Sequence, residues 1–256
     1  ISYNVLGREV DFRVATQPTV HGENVVMRLL DKTKSLVPLE NLGFSDHNSE
    51  VLKKLLKRPE GIIIVTGPTG SGKSMTLYSA LNEINSPELV IRTAEDPIEI
   101  TQPGLRQLQV NPKIGLTFAN AMRGFLRADP DVIMIGEVRD EETASVCIEA
   151  SLTGHLVLST LHTNSALEAI PRLLSMGVSP YTFAPALRGV MAQRLVRKVS
   201  EAAKAAGTVD PANPASYDGR TVIAEVLGVT PKIRDLILGQ ADETELAQAA
   251  AAEGYI

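Results

Sequence analysis

The sequence predicts an α/β protein with a mainly parallel sheet. Short, continuous apolar runs alternate along the chain with longer segments of helical periodicity. Continuous apolar strands are typical of parallel sheets, because helices cover both faces of such sheets. The predicted strands of this sheet are residues 62–65, 89–93, 132–135 and 156–159.

Composition divides the chain into four predicted segments. Strand-like runs fill the N-terminal part, and a stretch rich in Ala, Gly and Pro after residue 199 predicts a flexible connection followed by small helices. Because the sequence begins with Ile1, we also expect the natural protein to extend upstream. The predicted segments are the end of an N-terminal β domain at 1–32, a linker at 33–43, the main α/β domain at 44–199, and a flexible loop with a C-terminal subdomain at 200–256.

The composition makes several classes of function less probable. The net charge of −5 and the pI near 5.5 give no general electrostatic reason to bind nucleic acid. Cys147 is the only cysteine, so intrachain disulfides and thiolate zinc cages are excluded. Its position in a helical pattern predicts a core residue. No apolar run approaches the roughly 18 residues that a membrane helix needs, and we expect a cytoplasmic protein.

The phosphate-binding candidate is the segment GPTGSGKS at residues 67–74. It lies between an apolar run and a helical run at 75–84, which is the context that this pattern requires. Its glycines let backbone N–H groups face phosphates, Lys73 reaches the β and γ phosphates, and Ser74 binds Mg²⁺. The predicted nucleotide-binding residues are Gly67, Pro68, Thr69, Gly70, Ser71, Gly72, Lys73 and Ser74.

Two acidic side chains follow predicted strands. Glu137 comes at the end of a buried run, at the sheet edge where ligands bind in open α/β folds. We interpret it as the group that orients the attacking water, the alternative being a helix-capping or salt-bridged surface acid. Glu95 is the second candidate, although Glu-Asp-Pro is also typical of turns. Both acids are predicted to contact Mg²⁺.

His155 and His162 bracket the predicted strand at 156–159. Either could contact the γ-phosphate from a neighbouring strand, and a purely structural role is the alternative. Their spacing is not a zinc signature without further ligands. We therefore treat both histidines as candidate catalytic residues.

Four ordered motifs resemble those of the hexameric secretion ATPases that power type II secretion and type IV pilus assembly. The segment GPTGSGKS resembles the Walker A motif of that family. The segments AEDPIE, LRADPDVIMIGEVRD and TGHLVLSTLHTN resemble its Asp box, Walker B and His box. The N-terminal DFRVATQPTVHGENVVMRLLDK resembles the end of the family's second N-terminal domain, so the resemblance spans almost the whole chain.

This resemblance changes the interpretation of two arginines. On pattern alone, Arg13 and Arg28 are ordinary surface residues or members of surface ion pairs. In the family, arginines at the matching positions reach a nucleotide, where a guanidinium would neutralise charge on the γ-phosphate. Whether they act within one chain or across a subunit boundary stays open.

The resemblance also implies an architecture and partners. It implies a RecA-like core, a PAS-like N-terminal domain, ATP and Mg²⁺ as ligands, and a homohexameric ring. Such a ring would be a peripheral protein on the cytoplasmic face of the inner membrane. It would drive a platform protein in that membrane and would also bind a cytoplasmic adaptor. No nucleic acid is expected as a partner.

The chain departs from the family pattern in one place. Many members of the assembly branch carry a four-cysteine zinc motif after the segment that resembles AQRLVRK, whereas residues 200–216 contain no cysteine. We infer no zinc. The alternatives to an assembly or secretion motor are a pilus-retraction ATPase of the same superfamily, a nucleic-acid-translocating ATPase, and a nucleotide-binding assembly module without useful turnover.

Overall fold

The computed structural model describes residues 2–5, 8–31 and 36–255. Its N-terminal part is a three-stranded antiparallel sheet of order β1-β2-β3. The strands β2 and β3 form a hairpin, and Thr19 pairs with Gly22 across its turn. The strand-like runs of the N-terminal part are therefore present as β-strands. The strands are β1 (Ser2–Val5), β2 (Arg8–Thr19) and β3 (Gly22–Asp31).

The main sheet has seven strands in the order β10-β9-β4-β8-β7-β5-β6. All neighbouring strands are parallel except β9 and β10, which form an antiparallel pair at one edge. The prediction of a mainly parallel sheet is confirmed. The strands are β4 (Gly61–Thr66), β5 (Ile91–Glu95), β6 (Arg106–Gln109), β7 (Val132–Ile135), β8 (Leu156–Thr160), β9 (Leu187–Val199) and β10 (Tyr217–Gly228).

Several helices begin where the sequence provides a capping side chain. Asp140 accepts a hydrogen bond from the backbone N–H of Thr143 at 2.8 Å, and Asp242 and Glu245 form a capping box. The helices are α1 (Asp46–Leu56), α2 (Lys73–Ile84), α3 (Phe118–Phe125), α4 (Glu141–Leu152), α5 (Ala169–Ser175), α6 (Pro180–Ala186), α7 (Glu201–Ala206), α8 (Pro231–Leu238) and α9 (Glu243–Ala252).

Helices cover both faces of the main sheet. In β4, Ile62 and Ile64 belong to one buried cluster, whereas Ile63 and Val65 belong to another. Successive side chains of a strand point to opposite faces, so a strand that is buried on both faces must be apolar at every position. This arrangement explains the continuous apolar runs. Cys147 is 2% exposed in the first cluster, as predicted for a core residue.

The C-terminal segment packs against the main sheet. Strand β10 pairs with β9 in the main sheet, and Ile233, Ile237 and Leu246 of α8 and α9 belong to the same buried cluster as β4. The C-terminal segment therefore shares a buried core with the main sheet. The stretch 200–216 contains α7 rather than only irregular chain, because Ser200 caps a run of strong helix formers.

Within the described residues, no helix has the length and apolar character needed to cross a membrane.

Candidate active site

The carboxyl ends of the parallel strands β4, β5, β7 and β8 lie at one edge of the main sheet. Residues 67–74 form the phosphate loop, which connects β4 to α2 at this edge. Gly67 and Gly72 have φ values of 142° and 91°, a backbone conformation that residues with a side chain rarely adopt. A Cβ atom at Gly67 would also lie 2.3 Å from the carbonyl oxygen of Gln193. The loop conformation therefore requires glycine at these positions.

Lys73 folds back over the loop that precedes it. Its Nζ donates to the carbonyl oxygens of Gly67 at 2.8 Å and Pro68 at 3.2 Å, and lies 3.4 Å from Nδ1 of His162. Burial lowers the pKa of Lys73, and the nearby Glu137 carboxylate opposes that shift. The ammonium group is thus held at the loop.

A cavity of about 600 Å³ opens beside the phosphate loop. This volume falls within the range of small-molecule sites. The loop residues from Thr69 to Ser74 line it, and the Ser74 residue is exposed. The cavity joins the ends of several strands, so it collects side chains that are distant in sequence. Residues from other elements that line it include Glu95, Glu99, Glu137, His162, Gln193 and Arg220.

Glu137 follows β7 and has a side chain that is 16% exposed. Its Oε1 forms an ion pair with the Arg139 guanidinium, and its Oε2 lies 3.8 Å from Nε2 of His162. The pairing raises the pKa of Arg139, chiefly through the hydrogen bond to Glu137. Glu137 therefore lies in the cavity together with Lys73 and His162, and it also has the salt bridge considered as the alternative.

Glu95 ends β5 and is 4% exposed. Its Oε2 accepts a hydrogen bond from the hydroxyl of Tyr78, and its Oε1 accepts hydrogen bonds from Thr93 and, at 3.0 Å, from Gln107 Nε2. Burial and the Glu95 contact raise the pKa of Tyr78. Protein donors therefore engage both oxygens of Glu95, which makes this carboxylate a structural anchor at the base of the cavity.

Glu99 is an acid that the sequence interpretation did not select. It is exposed and lines the cavity, and its backbone N–H donates to the Tyr78 hydroxyl at 3.1 Å. Because Glu99 is exposed whereas Glu95 is 4% exposed, Glu99 is more accessible to water. The sequence signal that could have identified Glu99 is its position at the end of the AEDPIE segment.

The two histidines lie at opposite ends of β8. His162 follows the strand and lines the cavity, whereas His155 precedes it and does not. Nδ1 of His155 lies 2.9 Å from the carbonyl oxygen of Ala150, at the end of the preceding helix. A strand spans about 3.3 Å per residue, so its five residues keep the two rings apart. The geometry brings only His162 to the site.

Arg28, one of the two N-terminal arginines, does not line the cavity. Arg28 of β3 is exposed, and it lies opposite Arg13 of β2 in the hairpin register. The side chain of Arg13 lies outside the described part of the chain.

Two residues of the β9–β10 pair were also missed. Arg220 lines the cavity from β10, and Gln193 lines it from β9. Both come from segments whose strand pairing was not predicted, so no sequence signal linked them to the phosphate loop.

A known protein family matches nearly the whole chain. The profile of the family described as Type II/IV secretion system protein matches residues 1–255. The chain belongs to this family. The main sheet with its helices accordingly has a RecA-like fold.

Two curated relatives within the family illustrate the similarity. The chain is 48% identical over 267 residues to the Type II secretion system ATPase E of Vibrio cholerae serotype O1, covering 95% of this chain and 53% of that protein. It is 45% identical over 272 residues to the Type IV pilus assembly ATPase PilB of Thermus thermophilus, covering 96% and 31%. The chain thus spans about half, or less, of these relatives.

A solved structure has the same fold. The crystal structure of the pilus retraction motor PilT with bound ADP matches with a TM-score of 0.76 and 32% identity, covering 99% of this chain and 68% of that chain.

Proposed function

We propose that this chain is the ATP-binding and ATP-hydrolysing part of a motor that powers type II secretion or type IV pilus assembly. The observation that carries the proposal is the meeting of Lys73, Glu137 and His162 beside one phosphate loop. Membership of the secretion family supports the choice of process. The motor would work on the cytoplasmic side of the inner membrane, through a platform protein and an adaptor.

Each residue has a physical role in this proposal. The loop residues Gly67 to Ser74 hold the phosphates through backbone N–H groups, aided by the partial positive charge at the start of α2. When ATP binds, the Lys73 ammonium group gives up its hydrogen bonds to the loop carbonyl oxygens and donates to phosphate oxygens instead. Glu137 orients and polarises the attacking water, and His162 contacts the γ-phosphate.

Mg²⁺ fits the donor set of the cavity. Among the described residues, no group of three or more His, Cys, Asp or Glu side chains could cage a metal. Mg²⁺ commonly binds through one or two protein ligands, with phosphates and waters completing the octahedron. Ser74 and Glu137 would hold it, with Glu95 behind them, and the ion would neutralise charge on the phosphates.

Arg13 and Arg28 would complete the site after closure of the N-terminal sheet or from a neighbouring subunit of a hexameric ring. A guanidinium at the γ-phosphate is worth about 10³-fold or more in related phosphoryl transfers. His155 keeps no catalytic role in this proposal, because it lies at the other end of its strand.

The first test is Mg²⁺-dependent ATP hydrolysis across a range of protein concentrations. We expect turnover per subunit to rise as the chain oligomerises. Lys73→Ala should lose ATP binding, whereas Glu137→Gln should bind ATP and lose most of its hydrolysis. Normal hydrolysis by Glu137→Gln would overturn its assignment and direct attention to Glu99.

A mixing experiment tests the ring. Lys73→Ala and Arg28→Ala should each be inactive alone. If Arg28 acts on a neighbour's nucleotide, mixed rings regain part of the activity, because some interfaces combine an intact Lys73 with an intact Arg28. No recovery in mixtures that demonstrably exchange subunits would mean that Arg28 acts within its own chain.

A retraction motor is the second candidate, since the similar solved structure is of a pilus retraction motor. Complementation separates the two: a full-length protein carrying this chain should restore secretion or pilus extension, rather than retraction, in a strain lacking the corresponding ATPase. Steeply salt-dependent stimulation of hydrolysis by DNA would instead favour a nucleic-acid motor.

A further inference from the structure

Strand β9 passes directly against the phosphate loop. Gln193 of this strand is 3% exposed and lines the cavity. Its side-chain Nε2 donates a hydrogen bond to the carbonyl oxygen of Ser71 at 2.8 Å. Its own carbonyl oxygen would lie 2.3 Å from a Cβ atom on Gly67. A single residue of β9 therefore contacts the loop at its start and at its centre.

Only one end of the Gln193 amide is satisfied. Its Oε1 is buried and has no hydrogen-bond partner within the described part of the chain. Rotating the amide would place Oε1 against the Ser71 carbonyl oxygen, and two acceptors repel one another. The observed orientation is therefore the one that holds Ser71. An unpaired buried acceptor is unfavourable, so a structural reason for keeping the glutamine is required.

Peptide geometry links this hydrogen bond to phosphate binding. In a trans peptide the carbonyl group and the next N–H group point in opposite directions. Because Gln193 draws the Ser71 carbonyl toward β9, the N–H of Gly72 is directed away from β9. A phosphate loop works by presenting consecutive N–H groups to an anion in its concave side. Holding this one peptide in place thus prepares the loop to bind.

We propose that Gln193 is a positioning residue that keeps the phosphate loop in its phosphate-binding conformation by anchoring Ser71 to β9. This inference rests on the proposed function and adds a residue outside the four motifs. Strand β10, which pairs with β9, supplies Arg220 and Val222 to the same cavity.

The test compares two buried glutamines. Gln102 is 5% exposed, its Nε2 donates to the carbonyl oxygen of Tyr78 at 3.3 Å, and its Oε1 also lacks a partner among described residues. It does not line the cavity. The change Gln102→Met removes the same kind of hydrogen bond as Gln193→Met but leaves the phosphate loop intact, which makes it a matched control.

We expect Gln193→Met to weaken binding of MgATP about tenfold or more, measured by titration calorimetry, whereas Gln102→Met stays within about twofold of the unmodified chain. A tenfold loss corresponds to about 1.4 kcal/mol. The KM for MgATP should rise by a similar factor, with kcat at saturation changed less than about twofold, because Glu137 and His162 follow other strands. Gln193→Asn keeps an amide on a shorter stem and should also weaken binding.

The outcomes separate the two proposals. If the unmodified chain binds MgATP and both Gln193 variants bind it equally well, the inference is wrong while the proposed function stands. If both Gln193 variants lose cooperative thermal unfolding and Gln102→Met keeps it, Gln193 has a general structural role and the inference is again wrong. If the unmodified chain binds no MgATP, the proposed function fails and this inference fails with it.

Discussion

Nζ of Lys73 lies 3.4 Å from Nδ1 of His162, so the phosphate loop and the loop after β8 meet at one point. An ammonium group can only donate, so Nδ1 must be the acceptor and the ring proton belongs on Nε2. Nε2 lies 3.8 Å from Oε2 of Glu137. Burial, followed by the charge of Lys73, lowers the pKa of His162 and favours this neutral ring. Three strand ends are thereby joined in one polar chain.

The contact between these two loops depends on a pair of threonines. Thr66 Oγ1 accepts a hydrogen bond from the N–H of Thr163 at 2.8 Å and is 2.8 Å from the Thr163 hydroxyl. Thr66→Val keeps the shape but leaves the N–H without its acceptor, so we expect the free energy of unfolding to fall by about 1–3 kcal/mol. Because His162 is the preceding residue, ATP hydrolysis should slow more than ATP binding weakens.

Thr66→Ser is the control for this prediction, since it retains the hydroxyl. Urea denaturation and turnover assays should place it near the unmodified chain. Equal behaviour of the Val and Ser variants would show that the hydrogen bond does not matter.

Glu95 and Glu99 should differ in how strongly the same isosteric change lowers the free energy of unfolding. Glu95 is buried with both oxygens engaged, so Glu95→Gln should lower the free energy of unfolding by about 1–3 kcal/mol. Glu99 is exposed at the cavity, so Glu99→Gln should change stability by less than about 0.5 kcal/mol. Denaturation and steady-state kinetics on both variants check this. A stable Glu95→Gln variant that no longer hydrolyses ATP would show that Glu95 acts in catalysis rather than as a structural anchor.

The Tyr78 hydroxyl organises the acidic segment after β5. It donates to Glu95 and accepts the backbone N–H groups of Glu99 at 3.1 Å and Ile100 at 3.4 Å. We expect Tyr78→Phe to cost about 1–3 kcal/mol of stability and to increase hydrogen exchange at residues 96–100. Tyr181, which is 74% exposed, provides the control Tyr181→Phe. Unchanged exchange in Tyr78→Phe would contradict the role of the hydroxyl.

Cys147 should be chemically inert in the folded chain. Burial raises the pKa of its thiol to about 12, and the thiolate is the reactive form. At pH 8 the thiolate fraction is then on the order of one part in ten thousand. A thiol reagent such as dithionitrobenzoate should label no cysteine in the native chain and one per chain in urea. Stoichiometric labelling of the native chain would show that the helix bearing it opens readily.

The sequence by itself determined the fold class and the phosphate loop, because both depend on local patterns. Continuous apolar runs indicate strands that are buried on both faces, and GPTGSGKS places its functional groups within one turn. It also put forward Glu137, His155 and His162, whose positions at strand ends follow from the parallel sheet. It selected Glu95 and not Glu99, because their difference in burial and in the hydrogen bonds of Tyr78 is not visible in the sequence.

Only the tertiary structure decided which distant side chains share the cavity. His155 and His162 are equivalent in pattern, but the direction of β8 brings one to the phosphate loop and takes the other away. Gln193 and Arg220 reach the cavity because β9 pairs with β4 and β10 pairs with β9, which are long-range contacts without a local signature. Local periodicity specifies which segments become strands, whereas packing of the whole chain specifies their order, and the order of strands determines the site.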